Sequence, residues 1–286
     1  MSFPPVDHLR LSKELPAKAT FLVAAFEGWN DAGDAATIAA KHLRDRCGGE
    51  QLGHIEPEEF YDFTATRPQV ALDDRRKRQI HWPDISVWAG PIDEDRNAIV
   101  VLGAEPQLRW RTFSNQIITI AQHCEVDRVV TLGALLAEVP HTRPTPIFGS
   151  SENQELAEQH HLEPSSYEGP TGIVGVLNTQ CQLSGIDVVS LWAAVPSYLP
   201  GAASPKAARA LIGRLGPILD AEISTTDLDI ATVNYERQIG EMVSEDEDTV
   251  QYVRQLEEHH DDEDNLGSAD PEAMVAELEQ FLRNQQ

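Results

Sequence analysis

An α/β fold is what this sequence predicts: a three-layer α/β/α sandwich on a mostly parallel sheet, followed by an acidic helical extension. Three observations predict it. Apolar runs of strand length recur through the first three quarters of the chain, without the alternation of a half-exposed strand. Segments of helical period and length separate them, and buried strands joined by such helices favour parallel pairing with right-handed crossovers. Beyond about residue 220 the apolar runs stop and the charge turns strongly negative.

The elements follow in order. Thr20 to Phe26 (TFLVAAF) is a continuous apolar strand, and a helix runs from about Asp34 to Arg46, where Gly48-Gly49 ends it. Gln51 to Ile55 reads as a second strand. Ser86 to Ala89 and Ala98 to Leu102 are the next two, with a hairpin from Gly90 to Asn97 between them. Phe113, Ile117, Ile118, Ile120 and Ala121 recur at helical spacing within Thr112 to Cys124. Val129 to Leu136 is again a fully apolar strand. Helices at Asn153 to His161 and Gly172 to Leu183 come before the last central strand, Asp187 to Val195. Ser204-Pro205 then opens a helix reaching about Leu219, serine as cap and proline at the first helical position.

A division follows into an α/β core, residues 1–220, and an extension, residues 221–286. From Asp220 onward 20 Asp/Glu stand against 3 Arg, whereas the preceding residues hold 27 acids and 19 Lys/Arg. Asp227 to Gly240 and Ser244 to His259 read as amphipathic helices, the second with Val250, Val253 and Leu256 on one side. A terminal helix starts at Asp270-Pro271 with Met274, Leu278 and Leu282 four apart. Polar on most faces, these helices either pack by one narrow stripe or serve a partner.

The net charge of −25 excludes nucleic acid as a partner, because affinity for phosphate rests on basic contacts. No apolar run approaches the roughly 20 residues that cross a bilayer, and Met1 to Arg10 has no apolar signal region, so no membrane partner is expected. Cys47, Cys124 and Cys181 are widely spaced and odd in number, which fits small buried hydrophobes in a reducing cytoplasm. No cofactor or metal is expected: glycine-rich nucleotide patterns, a nucleophile elbow and His-x-x-x-His pairs are all absent.

Ligands of open parallel sheets bind beyond the carboxyl ends of strands. Four polar loops occupy that position. The first is Phe26 to Asp34, with Glu27, Trp29, Asn30 and Asp31; Asp31 or Asp34 suits a helix cap, and Glu27 suits an internal cation. In the second, Glu105 to Arg111, Arg109 either clamps an anion or pairs with Glu27 or Glu105. The third, Glu138 to Pro144, holds His141, placed for proton transfer, and Arg143. Thr171 in the fourth, Tyr167 to Gly172, suits the cap of the helix that follows.

At these loops the chain resembles the proteasome assembly chaperone family, in its bacterial and archaeal branch and more closely its actinobacterial members. The features are Phe26-Glu27-Gly28-Trp29-Asn30-Asp31-Ala32-Gly33, Glu105-Pro106 with Arg109-Trp110, Gly133 with Pro140-His141-Thr142-Arg143, and Gly169-Pro170-Thr171-Gly172. They span roughly residues 18 to 220. The resemblance implies a core similar to the purine nucleoside phosphorylase/hydrolase fold, with no enzymatic activity established for the bacterial branch. It also implies proteasome-related protein partners and homo-oligomers. Some relatives end in a hydrophobic-Tyr-any residue signal that docks on the proteasome; Leu282 to Gln286 lacks it, so no contact through that signal is expected.

The expectation is thus a non-enzymatic, homo-oligomeric, protein-binding or chaperone-like protein. The rival is an enzyme on a phosphorylase-like scaffold acting on a small anionic substrate. In that reading Arg109 and Arg143 hold the anion, His141 or Asp31 moves protons and Asn30 orients the substrate.

Overall fold

The computed structural model describes residues 7–74 and 76–266. The terminal helix expected at Asp270-Pro271 and the chain's last residues lie outside them. Strands are β1 (Leu9–Leu11), β2 (Phe21–Glu27), β3 (Glu50–Ile55), β4 (Gln69–Leu72), β5 (Arg78–His81), β6 (Ile85–Pro91), β7 (Asn97–Ala104), β8 (Arg128–Ala137), β9 (Ile147–Ser150) and β10 (Asp187–Pro196). Helices are α1 (Ala35–Arg46), α2 (Trp110–His123), α3 (Gln154–His160), α4 (Ile173–Leu183), α5 (Pro205–Leu219), α6 (Thr226–Ser244) and α7 (Glu247–Leu266). Eight strands form one sheet in the order β1-β3-β6-β7-β2-β8-β10-β9, and β4-β5 form a separate hairpin.

The fold class is α/β, and the sheet is mixed. β2 pairs in parallel with both β7 and β8, and this is the part that the apolar runs and long helical connections foretold. β1, β3, β6 and β7 pair antiparallel, as do β9 and β10. The reason at β6-β7 is the short hairpin, which cannot make the crossover that parallel pairing needs. Sequence periodicity assigned no element to residues 56–85, where β4 and β5 lie; every residue of both strands is exposed.

The chain divides into two compact units: residues 1–29, 40–132 and 172–189, and residues 30–39, 133–171 and 190–286. In the first, β2 is the centre of the core, with Leu22 to Phe26 fully buried. Phe26, Phe113 of α2 and Phe60 stack edge to face at 5.8 and 5.4 Å. Each ring removed from water contributes on the order of 2–3 kcal/mol.

In the second unit, Ser204 caps α5 by accepting from Ala207 N at 3.2 Å, as the Ser-Pro pair predicted. Asn153 caps α3 through Glu155 N and Leu156 N. The narrow stripe expected of the extension is present. Tyr235, Ile239 and Val243 of α6, at helical spacing, join Val253 of α7 and Leu199 in one buried cluster, with Val250 at its edge. Ile230, Val233 and Met242 of α6 stay exposed.

Candidate functional site

Within the first unit, the loops after β2 and β7 brace one another. Glu105 N donates to Glu27 O at 2.8 Å, which carries the β2-β7 pairing past the strand ends. The Glu27 carboxylate takes Lys41 of α1 at 2.9 Å, a half-exposed pair at the surface where an internal cation was expected. Glu105 turns the other way, and its carboxylate accepts from Ile173 N at 2.9 Å, at the opening of α4. A carboxylate there satisfies a free helix-terminal N–H and meets the positive end of the helix dipole. This corrects the expectation for Thr171: the cap position is Gly172, and the acceptor comes from a different loop. Thr171 itself is exposed.

Arg109 pairs with Glu59, not with Glu27 or Glu105, and adopts a left-handed backbone at the start of α2. Trp110 Nε1 donates to Pro106 O at 2.5 Å, and buried Tyr61 donates its hydroxyl to Ala104 O at 2.6 Å. Burial raises the Tyr61 pKa, so the group is a fixed donor. Trp29 stands half exposed at the tip of its loop.

In the second unit the remainder of the first loop is held from several sides. Ala134 N of β8 donates to Asn30 O at 2.8 Å, and Ser204 N donates to Gly33 O at 2.7 Å. Gly33 has φ +60°, and a Cβ there would sit 3.0 Å from Ala202 O, so the turn needs glycine. Asp31 is buried, and its carboxylate accepts from Ala36 N at 2.6 Å and from the Thr37 hydroxyl at 2.5 Å. It is the cap of α1. Burial outweighs these hydrogen bonds and lifts its pKa to about 6.

The third loop is closed by groups from later in the chain. His141 is buried; its backbone N and its Nδ1 both meet the Tyr198 hydroxyl, at 2.8 and 2.7 Å. Lys206 Nζ donates to His141 O at 2.5 Å and to Glu236 of α6 at 2.6 Å. Burial and then the Lys206 charge lower the His141 pKa, so the imidazole is neutral near pH 7. Arg143 grips Asp261 of α7 with two parallel bonds, Nε to Oδ1 at 2.7 Å and Nη2 to Oδ2 at 2.6 Å. Glu257, one turn before Asp261, is 3.5 Å from Arg143 Nη1 and accepts from the Thr142 hydroxyl. The fork of an arginine matches a carboxylate in this way, and here the carboxylate is the chain's own.

These side chains tie loops to neighbouring elements of the same unit, and His141 Nδ1 has the Tyr198 hydroxyl as its partner. Cys124 and Cys181 are buried, their thiols pushed up to about 11 and about 12, so neither is a thiolate. Among the described residues no group of His, Cys, Asp and Glu is placed to hold a metal ion, and no helix is long and apolar enough to cross a membrane. Sequence reasoning missed Tyr198, Lys206 and the acidic partners of Arg143. A signal did exist for the last, since Glu257 and Asp261 lie four apart and share a helix face.

Protonation of His141 costs stability in the folded chain, because burial and Lys206 both oppose the charge. Its contribution is expected to be complete above the free-histidine pKa of about 6.5 and to decline as pH falls below it. Denaturation midpoints at several pH values, compared with His141→Gln, check this. An unchanged pH profile in the variant overturns it.

Within each unit, then, a mixed α/β fold carries polar loops tied to neighbouring loops or to helices of the same unit. The chain belongs to the PAC2 family, whose family model matches residues 25–243. It is similar to a PAC2 family protein of Streptomyces avermitilis, with 40% identity and a TM-score of 0.75 over 82% of this chain and 99% of that one. A proteasome-assembly chaperone homologue of Mycobacterium tuberculosis is 41% identical, with a TM-score of 0.74 over 82% and 99% of the two chains. A second M. tuberculosis protein, of unknown function, is 26% identical with a TM-score of 0.81 over 91% and 93%. No curated protein matches the chain.

Proposed function

We propose that this chain is a non-enzymatic, homo-oligomeric binding protein of the cytoplasm, with a chaperone-like role toward a proteasome-related protein. A three-layer, phosphorylase/hydrolase-like core, residues 1–220, carries the scaffold, and the acidic extension, residues 221–286, serves contacts with proteins. One observation carries the reading. The candidate groups Glu27, Asp31, Arg109, His141 and Arg143 are each bonded to a group of the same chain, which leaves them as braces. Kinship adds the partner class, since a 41%-identical relative is a proteasome-assembly chaperone homologue. The net charge of −25 supports a protein partner over nucleic acid or an anionic membrane.

Affinity purification of the tagged full-length chain from the cells that encode it tests the partner. Proteasome subunits are expected to be enriched over a tag-only control, and their absence with a folded bait overturns this part. Incubation with nucleosides and related glycosides plus inorganic phosphate tests the chemistry. No turnover is expected; turnover that Arg143→Ala abolishes overturns the non-enzymatic reading.

A further inference from the structure

The contacts that seat α7 on the second unit fall on one half of the helix. Val253 and Leu256 are buried, and Val250 packs at the edge of the cluster that holds Leu199, Tyr235, Ile239 and Val243. Gln251, Arg254, Gln255, Glu258 and His259, on the other half, are exposed. The polar ties run to one loop. The Tyr252 ring meets Tyr198 edge to face at 5.9 Å, and its hydroxyl donates to Glu138 Oε1 at 3.4 Å. Farther along, Glu257 and Asp261 reach Thr142 and Arg143. The Arg143 and Asp261 side chains are 31 and 48% exposed, so this tie sits at the solvent boundary.

The hold is slight for a helix of this length. Few buried apolar side chains and solvent-facing polar bonds are the marks of a segment that opens by itself. Charge adds to this, because residues 247–262 bring six acids and one arginine onto a chain of net charge −25. Arg143 answers two of the six and fastens the far end. At the near end the joint is two residues long. Glu245 keeps an α-helical backbone after α6, and Asp246 starts α7, its carboxylate accepting from Thr249 N at 3.1 Å. Neither proline nor glycine occurs from Glu241 to Leu266, so no ring locks the turn and no helix breaker stands in the way of straightening it. Hinges are built from a few such element-terminal residues.

We propose that α7 is a hinged strap, closed over the loop from Glu138 to Arg143 by the Arg143–Asp261 catch and opening as one unit at Glu245-Asp246. Opening uncovers Tyr198, Leu199 and Val243 and frees the Arg143 fork together with the Thr142 hydroxyl, so the strap governs access to this face. The inference goes beyond the proposed function and stands without it, because it concerns the chain alone.

Hydrogen exchange of the full-length chain, read peptide by peptide by mass spectrometry, tests it. Amides of α7 are expected to exchange about a hundredfold faster than those of β10, which wait for the core to open. Arg143→Gln and Asp261→Asn are each expected to raise α7 exchange about three- to tenfold and to leave β10 unchanged. The double variant is expected to do no more than Arg143→Gln alone, because the same pair is already lost. Arg143→Lys keeps the charge without the fork and is expected to fall between parent and Arg143→Gln. Both residues are partly exposed, so circular dichroism is expected to match the parent in every case. Parent α7 exchanging at the rate of β10, variants that leave α7 unchanged, or variants that raise β10 equally overturn the strap. Effects that add in the double variant overturn Arg143–Asp261 as its catch.

Discussion

Asp31→Asn is expected to be destabilising at pH 4 and neutral or stabilising at pH 7, with about 3 kcal/mol between the two conditions. The carboxyl is buried and its pKa stands at about 6, up from 3.8. A raised acid pKa means that the folded chain holds its proton more tightly than the unfolded one. The stability from the neutral acid is therefore present at low pH and lost as pH rises from about 4 to about 6. Two units at about 1.4 kcal/mol each give the size. Asparagine keeps an oxygen for Ala36 N but carries no proton to lose, so its profile in this window is flatter. Asp31→Ala removes the acceptor as well, leaving the donors at the start of α1 unmet, and is expected to cost about 2 kcal/mol more than asparagine at either pH. Guanidinium unfolding at pH 4, 5, 6 and 7 measures both. A difference that does not change with pH, or that grows toward neutral pH as for an exposed capping aspartate, sinks the account. His141 acts with the opposite sign in a neighbouring window, so each variant must be compared with its parent at every pH.

Gly133→Val is expected to lower stability by about 3 kcal/mol. Gly133 lies in β8, where Trp192 of β10 covers its backbone. A Cβ there would fall 2.6 Å from Trp192 Cε3 and 2.7 Å from Cδ2. The ring cannot retreat freely, since its Nε1 donates to Ser190 Oγ at 3.0 Å. Overpacking of this kind costs about 1–3 kcal/mol, and the lost hydrogen bond brings the sum to the upper end. Trp192→Leu opens the space, so in that background the same change is expected to cost about 1 kcal/mol or less. Denaturant unfolding of the four proteins in this cycle provides the measurement. Equal costs in the two backgrounds would show that the indole is not the obstacle.

The sequence by itself determined the elements that a single chain segment can specify. Thr20 to Phe26 is apolar on both faces and has no stable place outside a sheet, so β2 was legible. Ser204-Pro205 carries its own start signal, and the Val250, Val253 and Leu256 stripe declared which side of α7 is buried. β4 and β5 were not legible, because a strand exposed on both faces leaves no burial pattern to read.

Only the tertiary structure decided the partners. Arg109 had Glu27 and Glu105 as its nearest carboxylates among the strand-end loops, yet the fold delivers Glu59. Arg143 reaches Asp261 from more than a hundred positions away. Glu105, and not Thr171, meets the start of α4. A loop's composition states which charges must be answered, since burying one unpaired is costly. It does not state which of the chain's 47 acids answers, because that depends on where the backbone carries each of them.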